Sequence, residues 1–223
     1  MYSVYSCVKG YISMETDRRS RKRLATRRAI SVVADRLFRE RGFDQVTVNE
    51  IATAADVGRM TVFNHFARKE DMFFDRDEEV REVLRQALRE RDPLVDPIET
   101  LRLLAHRLVS ERAPYLDFSP ASQAFVETVE RSETLVARAR AIRDEFAQVV
   151  SEALSACVGR DPADPDARLA AGLLLATWTV AFIQAHQTFR HAQNAKKARS
   201  SFLAIVDQGT TGLKAAMAGT PYA

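Results

Sequence analysis

The stretch "GRMTVFNHFARKE", residues 58–70, gathers side chains suited to recognition. The planar guanidinium of Arg59 can donate two parallel hydrogen bonds to a guanine edge, and the amide of Asn64 matches the donor and acceptor of adenine. Met60 or Thr61 can meet a thymine methyl. Signs of catalysis are absent by contrast. The sequence has no Gly-rich phosphate loop, no His-Glu-x-x-His, no Cys-x-x-Cys and no Gly-x-Ser-x-Gly elbow. His106, His186 and His191 could join carboxylates only by convergence, which helical spacing does not suggest. The run "DRDEEVRE" reads as a solvated charged face rather than a metal site. No catalytic residue, cofactor or metal is therefore expected, and the chain is not read as an enzyme.

Such recognition groups need a rigid mount, and the preceding residues specify one. Over about 24–41, Ile30, Val33, Ala34, Leu37 and Phe38 recur at helical spacing and form one apolar stripe. Gly42 stops this helix by taking a left-handed conformation at little steric cost, and Phe43 folds back as an anchor. Thr47 and Glu50 form a capping box that starts a second helix, flanked by Val46 and Ile51 as a hydrophobic staple. "NEIATAA" then meets the tight turn Asp56-Val57-Gly58. Ala52 and Ala55 permit close helix crossing, and Val57, Val62 and Phe66 point inward. Arg59, Met60, Thr61 and Asn64 are left facing out. Two helices joined by so short a turn make a helix-turn-helix, whose second helix enters the DNA major groove. From spacing alone, an ordinary helical hairpin in a bundle remains the other reading.

Charge and composition agree with a nucleic-acid partner at one end of the chain. The 223 residues are 46% hydrophobic, enough for a real core in one large or two small domains. Residues 15–73 hold 13 Lys/Arg against 9 Asp/Glu, and residues 74–223 hold 19 against 21. The densest run is "RRSRKR" (18–23), followed by Arg27 and Arg28, which favours a polyanion. Cys7 and Cys157 are far apart and suggest neither a disulfide framework nor a metal site, so a cytoplasmic setting is expected. No apolar run is read as reaching the roughly 18 residues that span a membrane. The opening "MYSVYSCVKGYIS" is a poor signal peptide. Because Met14 begins an ordinary polar start, residues 1–13 read as an upstream-start artefact or a floppy tail.

The segment "VTVNEIATAADVGRMTVFNHFARKEDMFF" (46–74), preceded by "RRAISVVADRLFRERGF" (27–43), resembles the DNA-binding domain of TetR-type (tetracycline-repressor-like) transcription regulators. The resemblance rests on the Arg-Gly-Phe ending the first helix, the Thr-x-x-Glu-Ile-Ala entry, the Thr-hydrophobic-aromatic-x-His-Phe block and the following Lys-Glu. It covers about 60 residues without a gap. It implies an all-α fold, a homodimer, a helical ligand-binding C-terminal domain, and repression relieved by a small molecule. It also implies that Thr47, His65 and Lys69 meet the phosphate backbone, which sets register without reading sequence. Three residues depart from the family pattern. Asp56 replaces the turn glycine, which Asp tolerates better than most side chains. Gly58 replaces a frequent serine cap at a cost of only tenths of a kcal/mol. Phe63 replaces a tyrosine whose hydroxyl touches phosphate in the family, so here it can only pack.

The expected organisation is a flexible basic arm (1–23), a DNA-binding domain (24–84, helix-turn-helix 47–66), and a helical ligand-binding and dimerisation domain (85–223). One helix is expected from Lys69 to about Arg91. Asp96-Pro97, Ser119-Pro120 and Asp164-Pro165 mark further helix starts, and Gly159 ends a long helix. The last two helices, about 165–190 and 197–218, match those forming a four-helix dimer interface in the family. Charge introduced at Ala181 or Gly209 is accordingly expected to break association. Phe125, Phe146, Trp178, Phe182 and His186 are the candidate ligand wall, with Gln123, Gln184 or His186 as polar reporters, and an apolar or aromatic effector is expected. The partners are thus a double-stranded DNA operator, a second copy and a small molecule. A helical adaptor without tight DNA binding is the alternative, suggested by Phe63.

Overall fold

The computed structural model describes residues 4–223, with side chains from Arg18 onward. Its described residues form ten α-helices and one 3₁₀ turn, without a strand. They fall into two compact units, divided between Asp75 and Arg76. The boundary expected after residue 84 lies inside a helix, Asp77–Arg89.

In the first unit, α1 spans Val4–Arg41, α2 Val48–Ala54, α3 Arg59–His65 and α4 Glu70–Phe73. The basic run 18–23, expected as a flexible arm, is part of α1. Between Met14 and Gly42 there is no Gly or Pro, and Arg and Lys are good helix formers, so nothing local stops the helix. The start-site reading of residues 1–13 bears on side chains outside those described. Ile30, Ala34 and Phe38 are buried and Val33 and Leu37 half-buried, which is the stripe expected of α1. They meet buried Phe43, Val46, Ile51, Ala52, Val62, Phe66 and Met72. Phe38 and Phe43 lie 5.0 Å apart by ring centroids, and Phe73 stands edge-on to Phe43 at 5.7 Å. Gly42 has φ +84° and donates to the Phe38 carbonyl at 2.9 Å, closing α1.

The single helix expected after Lys69 is broken. Phe74 leaves helical geometry (φ −99°, ψ 43°), and a new helix starts at Asp77. Asp77, Glu78 and Glu79 crowd its first turn, where the helix dipole favours negative charge.

The second unit contains α5 (Asp77–Arg89), α6 (Pro97–Ser110), a 3₁₀ turn (Pro114–Leu116), α7 (Pro120–Arg131), α8 (Glu133–Cys157), α9 (Pro165–Ala192) and α10 (Ala195–Ala216). The three expected starts are real caps: Asp96 accepts from the Glu99 amide at 2.7 Å, Ser119 from Ser122 at 3.3 Å, and Asp164 from Asp166 at 3.0 Å. Gly159 has φ +68° just after α8. The acidic face of α5 is laced with ion pairs, Arg85 to Glu78 at 3.0 Å and Arg89 to Glu82 at 2.6 Å. Arg81 pairs with Asp77 on its own helix and with Glu145 of α8, tying the two helices together.

α9 packs against α8 and α10 and holds an 18-residue window of mean hydropathy 1.5. On length and composition alone it could cross a membrane, which the sequence reading did not anticipate. The apolar content has a simple distribution. Ala167, Ala170, Ala171, Leu174, Ala181, Ala185 and Phe189 are buried within the unit. Leu169, Leu173, Ala176, Val180 and Ile183 lie exposed on the opposite face. A helix apolar all round has a second face to cover. Ala181 and Gly209 do not lie on that outer face. Ala181 is fully buried, and a Cβ at Gly209 would come within 2.2 Å of Thr177 Cγ2. Both positions serve packing inside one copy, so they do not test association as expected.

Candidate functional site

α3 is short because the residues around it leave no room for more. Asp56 takes the left-handed conformation (φ 52°) in the turn before it, as expected from its tolerance of that region. Gly58 caps the helix without a side-chain bond, and Phe66 ends it in extended geometry. Val62 and Phe66 are buried as anchors. On the other side Arg59, Asn64 and Phe63 are exposed, Thr61 is half-buried, and Met60 keeps 70% of its surface. A methionine that open on a seven-residue helix has no packing role within the unit. Arg59 lies over the Phe63 ring, 5.4 Å from guanidinium carbon to centroid. The residue that cannot replace the tyrosine hydroxyl therefore supports the arginine instead.

At the start of α2, Thr47 and Glu50 form the expected capping box. The Thr47 amide donates to Glu50 Oε2 at 2.8 Å, and the Glu50 amide donates to Thr47 Oγ1 at 3.3 Å. The Thr47 hydroxyl donates to the same carboxylate at 2.7 Å. These bonds, with Arg41 at 2.8 Å, hold Glu50 down at about 2, well below the usual carboxylate value. The Thr47 hydroxyl is thus already committed to the cap.

Two of the basic residues turn out to be fasteners. Lys69 Nζ donates to the Phe43 carbonyl at 2.9 Å and the Val46 carbonyl at 3.1 Å, and sits 4.1 Å from the Phe43 ring centroid. It pins the loop between α1 and α2, leaving one of its three N–H groups for an outside acceptor. Arg27, grouped with the basic run by sequence, stacks 4.0 Å above the Phe66 ring and donates to the His65 carbonyl. It clamps the end of α3 to α1. No spacing rule could have found it, because its partners lie almost forty residues away. His65 is half-buried, and burial, then the charges of Arg23 and Arg27, push its imidazole below its ordinary value. Near neutral pH it is an uncharged hydrogen-bonding group, with Nδ1 buried and unpartnered.

In the second unit the five candidate ligand residues do not form one wall. Trp178, Phe182 and His186 follow one another on a face of α9 and join Phe118 and Phe202. Centroids are 4.5 Å apart for Phe182 and His186, 5.1 Å for Phe118 and His186, and 6.5 Å for Trp178 and Phe202. Phe118 and Phe202 were not among the candidates, although Phe118 immediately precedes the Ser119-Pro120 cap. Phe146 lies beside Arg81, facing α5, and Phe125 is exposed on α7. His186 is only 2% exposed, and neither ring nitrogen has a hydrogen-bond partner among the described residues. Trp178 Nε1 and Gln123 Oε1 are also buried without partners, whereas Gln184 is exposed. Burial pushes His186 down to about 4, so its ring is neutral. His106 instead pairs with Asp207 at 2.7 Å, and His191 is exposed. A separate cavity of about 350 Å³ lies between α5, α6 and the 3₁₀ turn, lined by residues including Val83, Arg107, Glu111 and Tyr115.

An anchored short helix with a polar outer face, following a capped helix and a tight turn, defines a helix-turn-helix DNA-binding protein with a second helical domain. Residues 30–75 match the family of bacterial regulatory proteins described as the tetR family. That match lies within the first unit and shows a tetR-family helix-turn-helix there. Several solved structures share the fold. SmeT in complex with triclosan is 21% identical, with a TM-score of 0.53, covering 84% of this chain and 91% of that one. SmeT is the repressor of a Stenotrophomonas maltophilia multidrug efflux pump. Thermus thermophilus FadR, a transcriptional repressor in complex with lauroyl-CoA, is 22% identical, with a TM-score of 0.53 and coverage of 84% and 92%. NalD, the secondary repressor of a Pseudomonas aeruginosa efflux pump, is 23% identical, with a TM-score of 0.51 and coverage of 83% and 96%. A search of curated protein sequences returns no match.

Proposed function

We propose that this regulator is a repressor that binds an inverted-repeat operator as a dimer and is released by a small, mainly apolar ligand. The observation that carries the DNA reading is the division of α3. Val62 and Phe66 are locked inside, while Arg59, Met60 and Asn64 are left to solvent. In this reading Arg59 and Asn64 hydrogen-bond base edges, and Met60 and Thr61 touch thymine methyls. His65 and Lys69 meet phosphates, His65 as a neutral donor and Lys69 through its remaining N–H, whereas Thr47, expected to join them, gives both its amide and its hydroxyl to Glu50 and positions the start of α2. Phe63 supports Arg59. The protein acts on DNA in the cytoplasm.

The exposed stripe of α9 supports the dimer. Leu169, Leu173, Ala176, Val180 and Ile183 follow alternating steps of four and three, the spacing that keeps one seam facing a partner helix. Ala204, Gln208, Thr211 and Ala215 form a parallel row of exposed, mostly small residues on α10, and nothing lies within 4 Å of a Cβ built at Gly212. Two such helices from each copy can approach closely. The operator half-sites then lie about one turn of B-DNA apart, roughly 34 Å. Ligand binding supports a shape change that spoils this spacing, without competition at the DNA surface. SmeT and FadR, with triclosan and lauroyl-CoA bound, are precedents for repressors of this fold that hold compounds with a sizeable apolar part.

The test is to select genomic fragments on the full-length protein and to measure mobility shifts on the enriched sequence and on a scrambled duplex across a salt series. Tight, sequence-dependent binding of two copies to an inverted repeat is expected. Weak binding that disappears equally for both duplexes would instead favour the adaptor reading raised by Phe63.

A further inference from the structure

The aromatic cluster on α9 contains more hydrogen-bonding capacity than the protein itself uses. A neutral imidazole presents one N–H donor and one lone-pair acceptor. Both nitrogens of His186 are buried, and neither has a partner among the described residues. A buried polar group left unpaired is costly, and such groups in a native fold call for an outside partner. The surroundings limit that partner's chemistry. Phe118 and Phe182 flank His186 ring to ring, and Phe202 closes on Trp178. Trp178 and Phe182 are only half-buried, whereas Phe118, Phe202 and His186 are sealed. The rings touch one another, so a guest must part the half-buried pair to reach His186.

Charge narrows the class further. The charges that act on His186 are those of Arg190, Glu130 and Asp117. Arg190 is already paired with Glu130 at 3.1 Å, so among the described residues no free cation acting on His186 waits for an anion. Burying an unpaired charge beside aromatic rings is far more costly than burying a neutral polar group.

We propose that the effector is an uncharged aromatic molecule bearing a hydroxyl group, which packs on the half-buried Trp178 and Phe182, parts the Phe182 ring from Phe118, and bonds His186 through that hydroxyl. A hydroxyl both donates and accepts, so it suits either tautomer of the imidazole. The proposal rests on the reading of the second unit as the effector domain, and it names the chemistry that domain selects. It also separates this site from the cavity beside α5, which none of these residues lines.

The chain has one tryptophan, and it is Trp178, so its emission reports on this cluster directly. Full-length protein is titrated with para-tert-butylphenol, tert-butylbenzene and para-tert-butylbenzoate, matched in shape but differing in hydrogen bonding and charge. The phenol is expected to change Trp178 emission and to bind about tenfold more tightly than the hydrocarbon, with the benzoate weakest. His186→Phe should bring the phenol down to the hydrocarbon's affinity. His186→Gln, which keeps a donor and an acceptor, should retain part of the preference. Val83→Phe, which fills the other cavity, should change nothing. The proposal is overturned if the benzoate binds best, if Trp178 emission is indifferent to the phenol, or if both His186 variants bind it like the parent. Loss of phenol binding through Val83→Phe alone would overturn it as well. Operator binding, measured in parallel, keeps the two readings apart. A specific DNA complex with no phenol response removes the site and leaves the regulator, and phenol binding without a specific DNA complex does the reverse.

Discussion

Arg27 stacks on Phe66, its guanidinium carbon 4.0 Å from the ring centroid, and from there donates to the His65 carbonyl. One side chain of α1 thus holds the last turn of the helix that carries the recognition face. Arg27→Ala should destabilise the first unit by about 1–3 kcal/mol, losing a cation–π contact and a charged hydrogen bond. Urea unfolding measures this directly. Operator affinity should fall with it, and more steeply at temperatures near the mutant's melting point. Unchanged stability with weaker binding would make Arg27 a phosphate contact instead.

Lys69 and Arg59 should separate holding from reading. Lys69→Ala removes two bonds to carbonyls as well as a charge, so it should lower stability by about 1–2 kcal/mol and weaken every duplex about equally. Arg59→Ala should leave stability within about 0.5 kcal/mol, as for other surface changes. It should cost roughly 1–3 kcal/mol on the operator and little on scrambled DNA. Equal losses on both duplexes would transfer base reading to Met60, Thr61 and Asn64.

Phe63→Tyr adds a hydroxyl at an exposed ring that already supports Arg59. The variant should keep the stack and tighten binding to operator and scrambled duplexes alike, by roughly tenfold at most. Mobility shifts at one fixed salt concentration suffice. A tightening confined to the operator would mean that the hydroxyl meets a base rather than a phosphate.

The two faces of α9 predict opposite outcomes from neighbouring positions. Val180 and Ile183 keep 56% and 51% of their surface, so Val180→Glu or Ile183→Glu should abolish the dimer in sedimentation while leaving the helical melting transition of the copy in place. Ala181→Glu should unfold the unit. Gly209→Ala should cost about 1–3 kcal/mol by overpacking against Thr177, and Thr177→Ala should recover part of it in a double-mutant cycle.

Acid should weaken the second unit through His186. Its folded-state value is pushed down to about 4 from an ordinary 6.5, so the unfolded chain takes up the proton first. The stability that the neutral buried ring contributes is whole above about 6.5 and declines as pH falls toward 4. Arg190, Glu130 and Asp117 provide the surrounding charge. Melting temperature against pH should fall across it in the parent, and less steeply in His186→Phe. Identical slopes would place the acid sensitivity elsewhere.

Much of this was determined by sequence alone, because the deciding interactions are local. The capping box of Thr47 and Glu50, the Asp96-Pro97 start and the left-handed Gly42 and Asp56 involve residues only a few positions apart. Their geometry follows from backbone sterics and short side chains whatever the rest of the chain does. The outward set on α3 was legible for the same reason, since helical period alone places Val62 and Phe66 opposite Met60 and Asn64. Tertiary structure decided the rest. It took Arg27 and Lys69 out of the basic surface and made them fasteners, and it paired His186 with Phe118 rather than with Phe125 or Phe146. It also chose Val180 over Ala181 as the outer face of a helix whose residues are apolar on every side. Those outcomes depend on how helices distant in sequence cross, and hydrophobic periodicity carries no information about a crossing when both faces are equally apolar.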